Sequence, residues 1–231
     1  MRTFSFALLA GLLCAAPASA ATRNFGITSF SKIRIAGPYK VRLATGVAPF
    51  AKASGTSAAI DRIALDVEGD TLIIRSDPSW GGGYPGEDPG PVELDLGTHD
   101  LSSATVLGAG SLSIDKVKGL SFILSMQGSG VGEIDEVATD QFNVTLIGTA
   151  AAKIKGHALK LTALVRGVSS LDAQGLTAPN AQVSADGTAT VAATVTDTAR
   201  VDAWGPATIR FAGRPSCTLK LQGSTSVSGC R

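Results

Sequence analysis

The sequence is short of the residue types on which most chemistry depends. In 231 residues there are two histidines, three cysteines, two tryptophans and two tyrosines, and aromatic residues make up 5% of the chain. His99 lies in GTHD, read as a turn, and His157 in KGHAL, read as lying between repeats. Neither has the neighbouring nucleophile and orienting carboxylate that a serine or cysteine triad needs, and both are read as surface residues. Two histidines and no free cysteine fall short of a zinc centre, so no metal or cofactor is expected. Charge of one sign is lacking too. Without residues 1–20, the 20 basic residues lose only Arg2, which leaves 19 against 19 acidic ones. A nucleic-acid partner would call for a basic excess. Beyond residue 20 there is no apolar run long enough to span a bilayer, which argues against an integral membrane protein.

The one apolar run is at the start. MRTFSFALLAGLLCAAPASA has a basic first turn, an apolar middle and a small-residue end at Ala18-Ser19-Ala20. This is the pattern of a signal peptide, residues 1–20, cleaved before Ala21. The expected product is an exported protein, periplasmic or at the cell surface, with a single domain over 21–231. Export makes a disulfide between the two remaining cysteines, Cys217 and Cys230, the simplest reading. Closing so short a loop contributes about 3 kcal/mol in the chain-entropy model.

Glycine, in contrast, is plentiful, and it is periodic. Gly108, Gly128, Gly148, Gly167, Gly187, Gly205 and Gly223 are spaced by 20, 20, 19, 20, 18 and 18 residues. Two and four positions before each glycine stand apolar residues such as Leu124 and Met126, with a mostly polar residue between. Four and six positions after it the alternation resumes, as in Leu112 and Ile114 or Val191 and Ala193. Period-two alternation marks a strand with one buried face. Each repeat therefore reads as two strands joined at a corner of small residues. A unit of about 20 residues cannot bury its own face, whereas stacked units bury a continuous core. The fold class expected is all-β, a parallel β-helix (β-solenoid) with coils of 18–20 residues over 101–231. Phe122 and Phe142 fall one coil apart and are expected to stack in the core. Residues 27–100 are less regular and read as the cap of the first coil. Strands are expected at Lys32–Ala36 and Tyr39–Ala44. A short helical turn and then a strand at Thr71–Arg75 are expected in SAAIDRIALDVEGDTLIIRS, and a Gly/Pro surface loop over 77–91.

The opening FSKIRIAGPYKVRLATG, the run ending GDTLIIR, the segment VELDLGTHDLSSATVLGAGSL and the glycine-led repeats resemble the head GIN domain family, named for autotransporter-adhesin heads. The resemblance covers residues 27–229. It implies an exported bacterial protein with a right-handed parallel β-helix, and it brings no catalytic residues. Several corners depart from GSG to GTA, GVS, GPA and GST.

Candidate contact residues are few. Glu133, Lys153 and Asp172 occupy one outward slot on successive coils, and Asp115 and Asp135 occupy another, with Lys155 next. They read either as a polar strip facing a sugar chain or as a solvated sheet face with alternating charges. Two carboxylates fall short of a calcium cage. Trp80 and Tyr84 in the Gly/Pro loop, and Trp204 in an outward slot, are candidate stacking surfaces. The reading is therefore a non-enzymatic, adhesin-like interaction module that contacts an envelope polysaccharide or a surface protein. The alternatives are a polysaccharide-binding or polysaccharide-degrading β-helix and a structural protein that self-associates as a homo-oligomer.

Overall fold

The computed structural model describes residues 21–77 and 90–231. Residues 1–20, read above as a signal peptide, and Trp80 and Tyr84 lie outside the described residues. Stacked parallel coils form a β-solenoid of about six turns. The regular coils are β9 (Ser111–Gly128), β10 (Val131–Gly148), β11 (Ala151–Gly167), β12 (Ser170–Gly187) and β13 (Thr190–Trp204), each paired in parallel with the next.

The corner glycines hold the coils in register. Gly128, Gly148 and Gly167 have φ of +115°, +102° and +84°. A Cβ on each would stand 2.6, 2.7 and 2.5 Å from the carbonyl oxygen of the glycine one coil earlier. That same oxygen accepts a hydrogen bond from the residue after the glycine: Ser129 N–H to Gly108, Thr149 to Gly128, Val168 to Gly148. Only glycine permits both the left-handed backbone and the close stacking. The series begins earlier than the repeat, because Gly37 (φ +134°) heads it and donates to the Leu107 carbonyl.

Each coil has more inner surface than two strands supply. Beside the expected columns, the position two after the glycine is buried and small: Gly110, Gly130, Ala150, Ser169, Ala189 and Ala207. A third, short segment turns inward at Val117, Val137, Leu176 and Val195, all 1% exposed or less. The two-strand reading is corrected to three faces. The third was hidden because the register slips there, between Ile134 and Val137 and again between Ala173 and Thr177, so its distance from the glycine varies. His157 accordingly lies within a coil, opposite Ala138 and Thr177. Phe122 and Phe142 stack as expected, their ring centroids 5.8 Å apart.

The N-terminal region joins the stack out of sequence order. β2 (Lys32–Ala36) pairs in parallel with both β6 (Thr71–Ser76) and β8 (Ser103–Gly108). β3 (Lys40–Thr45) pairs in parallel with both β7 (Glu93–Thr98) and β9. The first coil in sequence thus lies inside the stack. Antiparallel strands close that end: β4 (Phe50–Gly55) on β7, β1 (Ala21–Phe25) on β4, and β5 (Ile63–Glu68) on β6. The helical turn is α1 (Ser57–Asp61), capped by the Thr56 hydroxyl, which accepts from Ala59 N–H at 3.1 Å. β1, β4, β5 and β7 were not legible as separate strands. At this end Ala53, Ile60 and Ile63 are buried, so the region 27–100 does cap the core.

The far end is different. β14 (Thr208–Ala212) and β15 (Ser216–Gln222), both paired with β13, form the last full coil, and β16 (Ser226–Ser228) pairs with β14 as the start of another layer. Cys217 and Cys230 are bonded, with Cα atoms 5.7 Å apart, and Arg231 N–H donates to the Pro215 carbonyl at 3.1 Å. The expected staple closes this coil into a ring. Yet Leu219 and Leu221, expected in the buried columns, are 42% and 39% exposed, because among the described residues no strand follows β15 over them.

Candidate functional site

One outward register position runs the length of the solenoid. Through parallel pairing, Asp95, Arg42, Ser113, Glu133, Lys153 and Asp172 face the same side on successive strands, followed by Ala192 and Arg210. The expected Glu133–Lys153–Asp172 ladder is present and is longer than the repeats alone indicate. A neighbouring column carries Glu93, Lys40, Ser111 and Val131.

The two serines shape this face. Ser111 and Ser113 are short, with Lys40 and Arg42 on one side and Val131 and Glu133 on the other. Two adjoining depressions form over them. The larger, of about 400 Å³, is lined by Arg42, Phe50, Asp95, Ser113, Asp115 and Asp135, among others. The smaller, of about 250 Å³, is bounded by Lys40, Arg42, Val131 and Glu133. Phe50 stands on the rim, 45% exposed, with its ring lying on Gly97. A Cβ at Gly97 would come within 2.3 Å of Phe50 Cε1, so the glycine makes the seat for the ring.

The charges on the face are paired with one another. Arg42 Nε donates to Asp95 Oδ1 at 2.7 Å, and Lys40 Nζ to Glu93 Oε1 at 2.7 Å. The Asp95 hydrogen bond holds the Arg42 guanidinium above its ordinary value, and the Lys40 hydrogen bond holds the Glu93 carboxyl below the usual carboxylate range. Lys155 Nζ donates to Asp135 Oδ1 at 2.8 Å and lies 3.5 Å from Glu133, contacts that raise the lysine's affinity for its proton. Lys153 reaches Glu133 at 3.9 Å, within ion-pair range. Asp115 Oδ1 accepts from the backbone N–H of Thr45 (3.0 Å) and of Lys116 (2.6 Å), which fixes the corner between β3 and β9.

Asp115 and Asp135 therefore share one depression but take different partners, backbone N–H groups for Asp115 and Lys155 for Asp135. Among the described residues no group of three His, Cys, Asp or Glu side chains is placed to hold a metal ion. Trp204 is 44% exposed and pairs with Asp186 and Gln222 in register, across the glycine corner from the ladder face. It belongs to another surface. Arg42, Asp95 and Phe50 were missed by sequence reading. KVRLAT does carry a signal, since Val41-Arg42-Leu43 has the same in-out-in pattern as Leu112-Ser113-Ile114, onto which it stacks.

No helix among the described residues is long and apolar enough to cross a membrane. No curated protein matches the chain. Solved structures do share its fold. A "putative adhesin" of Bacteroides fragilis NCTC 9343 superposes with a TM-score of 0.78 at 18% identity, over 90% of this chain and 95% of that one. A "putative lipid binding protein" of Parabacteroides distasonis ATCC 8503 gives 0.73 at 19%, over 90% and 95%. A "putative adhesin" of Parabacteroides merdae ATCC 43184 gives 0.68 at 15%, over 90% and 95%. A family model matches residues 29–215, most of the chain, and the protein belongs to the family described as "putative auto-transporter adhesin, head GIN domain".

Proposed function

We propose that this protein is an exported, non-enzymatic adhesive module that binds an envelope polysaccharide along its ladder face. The observation that carries this reading is the continuous polar strip with its two depressions over Ser111 and Ser113. Slots on a parallel sheet repeat every ~4.8 Å, so a polymer lying along the solenoid axis meets a series of hydrogen-bonding groups rather than a closed cavity. The Phe50 ring supplies an apolar surface for a sugar, and the Arg42–Asp95 and Lys40–Glu93 pairs supply oriented donors and acceptors. Pairing also bears on the enzyme alternative. A glycosidase needs two carboxyl groups free to exchange protons. Here Asp135 is held by Lys155 and Asp115 by backbone N–H groups. Membership of an adhesin-head family supports export and surface contact.

The test is retention of the oxidised protein on a panel of envelope polysaccharides, scoring bound protein and released reducing ends together. Arg42→Ala and Phe50→Ala are expected to weaken retention about tenfold, equivalent to about 1.4 kcal/mol each. Trp204→Ala, on another surface, is expected to leave it unchanged. Release of new ends would overturn the non-enzymatic reading, and equal retention of all variants would remove the ladder face as the site.

A further inference from the structure

We propose that a break in the stack beneath the third face of β9 is a subsite for an acidic sugar, a uronic acid whose carboxylate meets Lys118 and whose hydroxyl groups meet Asp100. From β9 to β12 one stretch of chain runs along all three faces of each coil, and its parallel neighbour follows it. The layer on the other side of β9 is different. There β3 pairs with residues 111–114 and β8 with residues 123–128. β3 and β8 are not consecutive in the chain, so no strand crosses the third face between them, and residues 116–122 have their ladder with β10 alone. Two turns border the space instead, Thr45–Gly46 at the end of β3 and His99–Leu101 between β7 and β8. A depression of about 310 Å³ results. Its frame is fixed. Thr45 Oγ1 donates to the Lys116 carbonyl at 2.7 Å, Gly46 N–H donates to the His99 carbonyl at 2.9 Å, and Leu101 is buried. The space beside Gly46 is open, since a Cβ there would meet nothing within 4 Å.

The side chains select the occupant. Lys116 is engaged, its Nζ donating to Glu136 Oε2 at 2.6 Å. Lys118 lies in the field of the same carboxylate but forms no ion pair among the described residues. The side chains of His99 and Asp100 are exposed and form no hydrogen bond or ion pair among the described residues. Asp70, in the adjoining depression that His99 and Asp100 also line, is paired with Lys32 at 3.1 Å. The space therefore offers one ammonium, one carboxylate and one imidazole N–H to a ligand. A bare anion gains little there, because Asp100 opposes what Lys118 attracts. A neutral sugar leaves Lys118 without a counter-charge. A sugar acid answers both: its carboxylate accepts charge-assisted bonds from Lys118 and the imidazole N–H, and its ring hydroxyls donate to Asp100. The site also adjoins the ladder face. Asp115 and Lys116 are consecutive; Asp115 lines the larger depression over Ser113, and Lys116 lines this one. Asp115 Oδ1, held by the N–H groups of Thr45 and Lys116, stands at the corner between them. A polymer on the ladder face can place an acidic unit round this corner. The inference rests on the ladder-face reading for the polymer and names its class, a uronic-acid-containing polysaccharide.

The experiment titrates isotope-labelled protein, expressed with residues 1–20 in place and purified oxidised, and follows its amide signals by NMR. The probes are trigalacturonic acid, its methyl ester, which keeps the ring hydroxyls and loses the charge, and inorganic phosphate. Retention on polygalacturonate and on its methyl ester is scored alongside. The acid trimer should move the amide signals of Gly46, Leu101 and Lys118 and should bind about fivefold more tightly than the ester. Lys118→Ala should remove that difference, with the melting curve of the parent, because the side chain is exposed. Arg42→Ala, on the ladder face, should weaken retention on both polymers and leave the trimer's effect on the Gly46, Leu101 and Lys118 amides unchanged. Acid and ester trimers that bind alike overturn the proposal, as does a Lys118→Ala variant that binds the acid trimer like the parent. Phosphate that moves the same amides at the same concentration overturns it in favour of a bare-anion site. If Lys118→Ala lowers retention on polygalacturonate and Arg42→Ala does not, the subsite stands and the ladder-face reading falls.

Discussion

At the scale of single residues, Gly148 and Gly46 have the same kind of backbone in unlike surroundings. Both have positive φ, +102° and +74°, but a Cβ at Gly148 would lie 2.7 Å from the Gly128 carbonyl, whereas one at Gly46 would meet nothing within 4 Å. Gly46→Ala should cost only the left-handed backbone penalty of about 1 kcal/mol. Gly148→Ala should cost at least about twice that, since the coil above must shift and its hydrogen bond from Thr149 N–H weakens. Urea denaturation of the two variants measures the difference. Phe142 is a second sensitive residue. It is fully buried against Phe122, and Phe142→Ala should cost about 3–5 kcal/mol, read from the same transitions. The corner glycines were legible in the sequence because their constraint is local: backbone angle and stacking recur at every coil. Phe50 was not, because its seat is Gly97 on a strand that reaches it only through tertiary pairing.

At the scale of elements, ion pairs tie neighbouring strands along both the ladder face and the turns. Lys40 holds Glu93 across β3 and β7, Lys116 holds Glu136 across β9 and β10, and Lys32 holds Asp70 in the turn between β5 and β6. Each of these carboxyl groups lies below its ordinary value, chiefly through the lysine hydrogen bond. A carboxyl whose folded pKa is depressed adds stability above its unfolded pKa and loses it as pH falls through the folded one. The melting midpoint should therefore be flat from about pH 7 to about pH 5 and fall below the usual carboxylate values near 4. Arg42 and Lys155 are shifted upward by their carboxylate partners, so their share is present at neutral pH, is lost in strong alkali, and goes with those carboxylates as they protonate in acid. The pairs are exposed, so the effect should be modest and should shrink in high salt. Lys40→Met should flatten the acid limb of the profile. The period of the repeat showed which residues share a column, but not that β3 stands between β7 and β9, which brings Arg42 and Lys40 to this face.

At the scale of the molecule, a solenoid is stabilised by each coil on its neighbours, so the ends are the weakest coils. The capped N-terminal end and the ring-closed C-terminal end answer this in different ways. Cys217→Ser opens the ring and should remove about 3 kcal/mol from the last coil, lowering the melting midpoint of the oxidised protein by several degrees. Hydrogen exchange should show the loss first in β15 and β16, with β9 to β11 little changed. An unaltered midpoint would mean that the hydrogen bonds of β15 and β16 to the preceding coil hold the end without the bond.

Sequence alone determined the solenoid, its coil length, the corner glycines, the phenylalanine stack and the terminal cysteine pair. All of these follow from a pattern that repeats at a nearly constant interval, and a repeated local constraint leaves a periodic trace in one dimension. The third face left none, because its register slips from coil to coil. Tertiary structure decided the insertion of β2 and β3 within the stack, the antiparallel closure of one end and the exposure of Leu219 and Leu221 at the other. It also decided which side chains meet over Ser111 and Ser113. Those outcomes depend on which strand lies beside which, and strand order is a property of the folded chain that alternation along one strand does not encode.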